Sequence, residues 1–465
     1  LKAGLIKQTA NGIYTWLPLG LKVLKKINAV IKEELDKIGC NEVLLPILQP
    51  SHLWQMSGRY DTYGKEMLRI KDRNDSELIY GPTAEEVMVE IAKSEIKSYK
   101  QLPLSLYNIQ FKFRDEIRPR FGVMRSREFI MLDSYSFDID EKSAVDTYFL
   151  HYNAFLRIFF RLGITILPNS ASTGEIGGSL SHEFNMVAPS GESSVFIEEG
   201  YIQEIVNMQK SLSDIKSGSD SFYQNILQKF YAKTDEKIIE EISKSNNINE
   251  YFKKVINNNE KLNPIDVSKH TNKKINEHKT IELGHTFYFA DKYSKPMDMK
   301  IIDSNGKLIN PQMGSYGIGP ARIMAGLIEI NNDENGIKFD PSLSPFDVII
   351  INLVKSDISK SKEIYTKLKS SGIDCLLDDT EDSPGQKFAK ADLIGISIQI
   401  IVSQKLAQDE VELVFRTLKE PKNNQNKKID DVNYNSYKTK LINNGFQASQ
   451  VVKLNNLIDL IKKSN

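Results

Sequence analysis

Between Phe111 and Phe137 the chain alternates apolar and polar positions on both sides of an arginine-rich loop, FKFRDEIRPRFGVMRSREFIMLDSYSF. With side chains at period two, residues 111–116 set Phe111, Phe113 and Asp115 on one face and Lys112, Arg114 and Glu116 on the other. Pro119 and Gly122 break the pattern where Arg118, Arg120 and Arg125 cluster. Beyond the loop, Phe129, Met131, Asp133 and Tyr135 share a face, and Glu128, Ile130 and Leu132 share the opposite one. The spacing predicts a long antiparallel hairpin with one wall of arginine, carboxylate and aromatic ring.

Other stretches carry the helical period. Val23, Ile27, Val30, Ile31, Leu35 and Ile38 form an apolar stripe that predicts a helix from Leu21 to Ile38, stopped by Gly39, before a strand Glu42–Leu45 closed by Pro46. Thr83 and Glu86 read as a capping box opening a helix through Val87, Met88 and Ile91, which leaves Glu85 without a local task. An amphipathic helix is expected over 142–163, ending at Gly163. A strand bearing His285 and Phe287 follows from 281, and Gly314, Gly317 and Gly319 give a tight entry to a helix with Arg322 in its first turn. A cation there opposes the helix dipole, which suggests an anion bridging the arginine and the helix end. From about residue 345 the order becomes βαβαβ: strand Val348–Asn352, helix Ile358–Ser371, strand Ile373–Leu377, helix Gln386–Leu393, strand Ile396–Val402. That order predicts a parallel or mixed sheet.

Composition narrows the class. A chain of 465 residues is long for one core and suggests two or three domains. Lys+Arg and Asp+Glu balance at 61 each, so any nucleic-acid contact comes from local patches. Cys40 and Cys375 are the only cysteines, which excludes a cysteine-based zinc site and fits a reducing, cytoplasmic setting. No apolar run approaches the ~20 residues of a membrane span. The chain opens on Leu1, so it is expected to lack its natural start; no signal peptide is recognised. Between 203 and 280, Lys, Asn, Ser, Ile and Glu dominate, and the segment reads as an inserted module with helices at 221–232 and 236–244.

The hairpin wall has a definite chemistry. Guanidinium matches phosphate oxygens in a fixed fork. A carboxylate two residues away accepts from an exocyclic amine, and a Phe on the neighbouring strand offers a stacking face. Together these suit a nucleotide whose phosphates lie under the loop. The same alternation also suits a half-exposed hairpin whose arginines are solvated or paired with Asp115, Glu116 and Glu128.

FRDE, the arginine-rich loop and RSREF resemble motif 2 of the class II aminoacyl-tRNA synthetases, and RPRFGVMRSREF is very similar to the bacterial prolyl-tRNA synthetases. The resemblance implies that Arg114 contacts both the amino acid carboxylate and the α-phosphate of ATP. It implies Glu116 at the adenine amine, Arg125 at the outer phosphates and Phe129 stacked on adenine. GIGPAR resembles motif 3, whose arginine, Arg322, contacts the γ-phosphate; Arg114 and Arg322 are the catalytic candidates. A Thr-x-Glu loop that binds the proline amine corresponds to Thr83 and Glu85. Met131, Asp133, His285 and Ser315 are further proline-pocket candidates, as are His182 and Phe184 from the run STGEIGGSLSHEFNM, where Gly177 and Gly178 permit close backbone approach. A lone His–Glu pair is also a common structural element.

The long helix, glycine and Pro-closed strand resemble motif 1, which implies a homodimer, although a helix packed on its own domain suits the pattern equally. DDTEDSPGQKFAKADLIGI resembles the anticodon-binding domain of class IIa synthetases, with Asp379, Glu381 and Lys387 as candidate contacts. Relatives commonly carry Arg where Thr380 stands, and a protein-docking module of the same βαβ order is an alternative. The fold implied is an α+β catalytic domain with an antiparallel sheet, a small insert and a C-terminal α/β anticodon-binding domain. Its boundaries are expected at 1–202, 203–280, 281–344 and 345–465. The activity implied is ATP- and Mg²⁺-dependent ligation of L-proline to tRNA(Pro) through a prolyl-adenylate, with no resident metal. An insert of about 80 residues is too short for the full domain that hydrolyses mischarged alanine. A threonine-specific sister enzyme lacks support without a cysteine zinc cluster, and a non-catalytic paralogue would be expected to lose a phosphate arginine.

Overall fold

The computed structural model describes residues 1–171, 180–211, 232–233, 275–419 and 436–464. Two compact units emerge: Ala10–Ile13 with Asn28–Ile323, and Leu1–Thr9 with Tyr14–Ile27 and Met324–Asn465. Helix α1 (Pro18–Lys37) carries the predicted stripe, with Val23, Leu24, Ile27, Ile31 and Leu35 buried.

The larger unit continues with β1 (Asn41–Glu42), β2 (Leu48–Pro50), α2 (Ser51–Ser57) and α3 (Arg59–Thr62). Then come β3 (Leu68–Lys71), β4 (Glu77–Tyr80), α4 (Glu85–Glu95), β5 (Leu104–Phe113), β6 (Glu128–Asp138) and α5 (Glu141–Arg161). It closes with β7 (Ile166–Ser170), β8 (Leu180–Val187), β9 (Ser193–Glu198), α6 (Tyr201–Ser211), β10 (Ala232–Lys233), β11 (Ile275–Ala290), β12 (Gln312–Ile318) and the start of α7 (Pro320–Ile330). The strand expected at Glu42–Leu45 pairs only at Asn41–Glu42, although Val43 N–H still donates to Tyr107 O at 2.8 Å. Of the two helices expected in the insert, residues 221–231 and 236–244 lie outside the described residues, and Ala232 belongs to β10.

The main sheet runs β8-β7-β10-β9-β11-β12-β6-β5-β1, with β8 also paired to β11. β5 and β6 are the predicted hairpin, antiparallel from Leu104↔Phe137 to Phe113↔Glu128. Alternation gives this sheet two unlike faces. One is covered by α5, whose Tyr148, Tyr152, Phe155 and Phe159 are buried and whose start is capped by Asp140 accepting from Ser143 N–H at 2.9 Å. Gly284 on β11 lets that helix approach, since a Cβ there would lie 3.2 Å from the Phe159 ring. The other face is open in the middle and makes the floor of a cleft. A small sheet, β2-β4-β3, and helices α2 and α4 wall it, around a core that includes Trp54, Met67, Ile79 and Met88.

The smaller unit contains β13 (Val348–Asn352), α8 (Ser359–Ser370), β14 (Cys375–Asp378), α9 (Pro384–Ile394), β15 (Ile398–Val402), β16 (Glu410–Phe415), α10 (Ser436–Asn443), β17 (Ser449–Lys453) and α11 (Leu457–Ser464). The sheet order is β14-β13-β15-β16-β17, parallel through the first three strands and antiparallel at the β15–β16 and β16–β17 pairs. All five residues of β13 are buried, as expected of a central strand covered on both faces. Ser383 and Gln386 form a capping box that starts α9, with Pro384 in its first turn. Among the described residues no helix is long and apolar enough to cross a membrane.

Candidate active site

The cleft of the larger unit has a volume of about 570 Å³ and is lined by Arg114, Glu116, Arg125, Phe129, Met131, Asp133, His285, Ser315 and Arg322, together with Thr83, Glu85 and Arg59. The alternation of β6 brings Phe129, Met131 and Asp133 to it, and β12 brings Ser315 by pairing Ser315↔Tyr135. Most of the expected site therefore meets in one place. β5 ends at Phe113, three residues short of the end of the predicted strand, because Glu116 N–H turns back onto Arg114 O at 2.7 Å. Arg114 lies just beyond the strand, held by its N–H on Arg127 O at 2.9 Å.

One end of the cleft is cationic. The Arg114 guanidinium lies 5.3 Å from the Phe129 ring, donates to Pro82 O at 3.4 Å and keeps a buried Nε with no partner among the described residues. Arg125 donates to Glu116 at 3.0 Å and to Glu192 at 3.0 Å; Glu192 also pairs with Arg120 at 2.6 Å. Arg322, at the start of α7, donates through Nε to Met124 O at 3.0 Å and through Nη1 to Glu282 O at 3.0 Å. Glu183, Glu282 and His285 hold ligand atoms within 4.8 Å of one another. Burial opposes ionisation of Glu282, yet the His285 hydrogen bond and the charges of Arg322 and Arg114 bring it down to about 2. Glu282, beside Arg322 and Arg114, and its neighbour Glu183 offer oxygens of the kind that hold a hard cation.

The other end is buried and anionic. Glu85 accepts from Thr83 Oγ1 at 2.7 Å, Arg59 Nη1 at 2.9 Å and Ser315 Oγ at 3.2 Å. Burial raises its carboxyl, but Arg59 and these hydrogen bonds outweigh it and hold Glu85 low. Asp133 lies 3.1 Å from the buried ammonium of Lys112 and accepts from Asn108 at 3.1 Å and Tyr135 at 2.9 Å. Such an arrangement can hold a substrate ammonium at Glu85 while its carboxylate reaches towards Arg114 and a nucleotide fills the cationic end.

Four expectations are corrected. The Thr83–Glu86 capping box does not form: α4 has Ala84 before its first residue, the Thr83 hydroxyl turns to Glu85, and Glu86 turns to Arg59 and Ser57. His182 and Phe184 do not reach the cleft. They point from β8 into the other face, where His182 Nδ1 meets Tyr148 OH at 2.6 Å and Phe184 packs on Tyr152, Phe155 and Phe159. It is Ser181 that reaches His285, at 2.7 Å. Gly177 and Gly178 lie outside the described residues. In the smaller unit Asp379 and Glu381 are exposed, but Lys387 is buried and donates to Asp378 O at 3.1 Å, as an internal strut.

Sequence reasoning missed Arg59, Glu192 and Glu282, and it placed Lys112 on the correct face without a partner. Arg59 carries no periodic signal; its partners stand 26 and 27 positions downstream. The one local hint is Gly58, at φ +77°, which separates the two short helices and turns Arg59 inward.

Comparison with known proteins agrees with this geometry. Residues 68–331 match the family model of the tRNA synthetase class II core domain (G, H, P, S and T), and residues 347–436 match that of an anticodon binding domain. A proline--tRNA ligase of Agrobacterium fabrum (strain C58 / ATCC 33970) is 45% identical over 420 residues, covering 90% of both chains. One from Bartonella quintana (strain Toulouse) is 46% identical over 423 residues, with the same coverage. One from Wolbachia sp. subsp. Drosophila simulans (strain wRi) is 44% identical over 411 residues, covering 88% of both. Equal coverage on the two sides makes these relatives about as long as this chain. The class II core match and the identity across nine-tenths of the chain assign it: it belongs to the proline--tRNA ligase family of class II tRNA synthetases.

Proposed function

We propose that this chain ligates L-proline to tRNA(Pro) with ATP, in two steps. The proline carboxylate attacks the α-phosphate of ATP, forming prolyl-adenylate and releasing pyrophosphate. The 3′-terminal ribose hydroxyl of the tRNA then attacks the activated carbonyl and displaces AMP. The observation that carries the reading is the meeting of Arg114, Arg125 and Arg322 in one cleft whose far end is Glu85.

Reaction at phosphorus of this kind depends on alignment and charge stabilisation, with no protein nucleophile required. Arg114 steadies the α-phosphate, Phe129 stacks on adenine, Glu116 takes the adenine amine, and Arg125 and Arg322 hold the outer phosphates. Thr83 and Glu85 take the proline amine; Met131, His285 and Ser315 line its ring, and Asp133 with Lys112 fixes the floor. Glu282 and Glu183 would be the carboxylate donors for a Mg²⁺ accompanying ATP, which would supply charge neutralisation at the phosphates. Asp379 and Glu381, exposed in the smaller unit, suit acceptors for base amino groups of the anticodon.

The chain acts in the cytoplasm as a homodimer. Leu44, 84% exposed just beyond α1 and β1, supports a contact with a second copy there. Domains at 1–202, 281–344 and 345–465 divide these tasks, and the 203–280 module leaves the protein without a full cis-editing domain. Pyrophosphate exchange across the amino acids, followed by charging of tRNA(Pro), tests the reading; proline should support both best. Exchange that favours another amino acid over proline, or none at all, overturns it. Robust hydrolysis of alanyl-tRNA(Pro) would overturn the editing statement separately.

A further inference from the structure

Arg59 is a buried cation beside the cleft. Gly58 turns it inward, and its guanidinium lies 4.8 Å from the Trp54 ring, 5.4 Å from Tyr63 and 5.5 Å from Tyr293. Those rings shield it from water and leave the fork one direction in which to find anions. There a single nitrogen, Nη1, meets two carboxylates: Glu85 at 2.9 Å and Glu86 at 3.2 and 3.3 Å. The two acids have different surroundings. Glu86 is fully buried, outside the cleft lining, and accepts from Ser57 at 2.7 Å. Glu85 lines the cleft and is aimed by Thr83 and Ser315.

Adjacent buried carboxylates repel, and without a counter-ion burial drives such acids to the protonated form. A protonated Glu85 would meet a substrate ammonium with a neutral carboxyl and lose the charge that recognises it. The charged and titratable groups facing Glu85 are Arg59, Glu86, Asp133, Tyr135 and Tyr293. Asp133 has its own cation in Lys112 at 3.1 Å, so Arg59 is the only one of these five that favours the Glu85 anion.

Building on the proline-ligase reading, we propose that Arg59 is the positioning residue for amine recognition: it keeps Glu85 anionic and aimed into the cleft against the competition of Glu86. It touches neither ATP nor the reacting atoms. Its effect is confined to the amino acid.

Proline-dependent pyrophosphate exchange on the full chain separates the possibilities. With Arg59→Met, KM for proline should rise about tenfold or more at pH 7, the size expected when a neighbouring charge is removed. KM for ATP should stay within about threefold. Raising the pH from about 6 to 9 should lower the variant's KM for proline as Glu85 ionises, while the wild type stays flat across that range. The neutral ring analogue tetrahydrofuran-2-carboxylate, as competitive inhibitor, should bind variant and wild type equally, because it carries no ammonium. Glu86→Gln should leave KM for proline within about threefold, since the Arg59–Glu85 pair survives. Should Arg59→Met fail to fold, Arg59→Lys keeps the charge but not the fork and should show a smaller, still proline-selective rise. A rise shared equally by proline, the neutral analogue and ATP, or an unchanged KM for proline, overturns the assignment. A wild type inactive with proline would refute the ligase reading instead.

Discussion

Arg114 and Phe129 face each other across the cleft mouth with 5.3 Å between guanidinium and ring centroid, and the buried Nε of Arg114 has no partner among the described residues. An unpaired buried donor is costly unless a ligand supplies the acceptor. Phe129 fixes the plane of the fork, and Pro82 O takes one of its edges at 3.4 Å. Arg114→Ala should therefore lower proline-dependent pyrophosphate exchange by at least about 10²-fold, the usual cost of removing one preorganised donor. The melting temperature should stay close to wild type, because Arg114 lies beyond the end of β5 and closes no ladder pair. Arg114→Lys should recover little, since an ammonium cannot reproduce a bidentate fork. Exchange retained in Arg114→Ala would remove the residue from its role.

Glu192 receives Arg125 at 3.0 Å and Arg120 at 2.6 Å, so under the role proposed for Arg125 it competes with an outer phosphate. Both arginines are more than a third exposed, so these pairs are weak, on the order of 1 kcal/mol or less. Under that reading a triphosphate would displace Glu192 from Arg125. Glu192→Gln should then lower KM for ATP by less than about fivefold, with KM for proline unchanged. Steady-state exchange at varied ATP checks this, and an increased KM for ATP would show that Glu192 helps to hold the nucleotide.

The cleft was legible where chemistry coincided with strand parity. Phe129, Met131 and Asp133 were placed on one face by alternation alone, and the structure keeps them there. Arg114 and Glu116 reach the cleft too, though by a turn after Phe113 that the unbroken alternation hid. His182 and Phe184 were cleft candidates by resemblance alone, and strand parity decides against them. A one-residue change of register flips a strand's faces, and nothing local in SLSHEF says which set meets α5. The capping box failed by competition, since Thr83 found a buried carboxylate within its own turn and Glu86 a cation from α3. Arg59 and Glu192 were invisible because their partners are remote in sequence. In the smaller unit the βαβαβ order was readable, whereas the antiparallel β16 and β17 depend on pairings that no local period encodes.

Phe184 and Ser315 offer a contrast between support and recognition. Phe184 has no exposed surface and touches three aromatic rings of α5. Phe184→Ala should cost about 3–5 kcal/mol of stability, as large-to-small changes in a packed core do. Ser315 donates to Glu85 at 3.2 Å within the cleft. Ser315→Ala should leave the melting curve nearly unchanged and raise KM for proline by up to about tenfold, the worth of a hydrogen bond to a charged group. Thermal melts and exchange kinetics on both variants check the division; a stable Phe184→Ala would refute the burial argument.

Two buried histidines predict how the protein responds to acid. His151 sits with Nδ1 3.0 Å from Thr147 O, takes Ser134 and Cys40 on Nε2 at 3.1 and 3.3 Å, and stacks on Tyr316 at 3.7 Å. Burial brings both His151 and His182 down to about 4. Between pH 6.5, where an unfolded histidine titrates, and about 4, the unfolded chain binds protons that the folded chain refuses, so stability falls as pH falls through that window. Buried acids act in the opposite sense: Asp133, Asp138 and Glu86 are pushed up by burial, so the folded state takes their protons first and gains from mild acid. The overall profile mixes the two signs, and a single substitution isolates one. His182→Gln should keep a polar partner for Tyr148 while removing the titration, so its melting temperature should drop less than that of the wild type between pH 7 and 4.5. Parallel curves for the two proteins would show that His182 titrates in the folded state as it does in the unfolded chain.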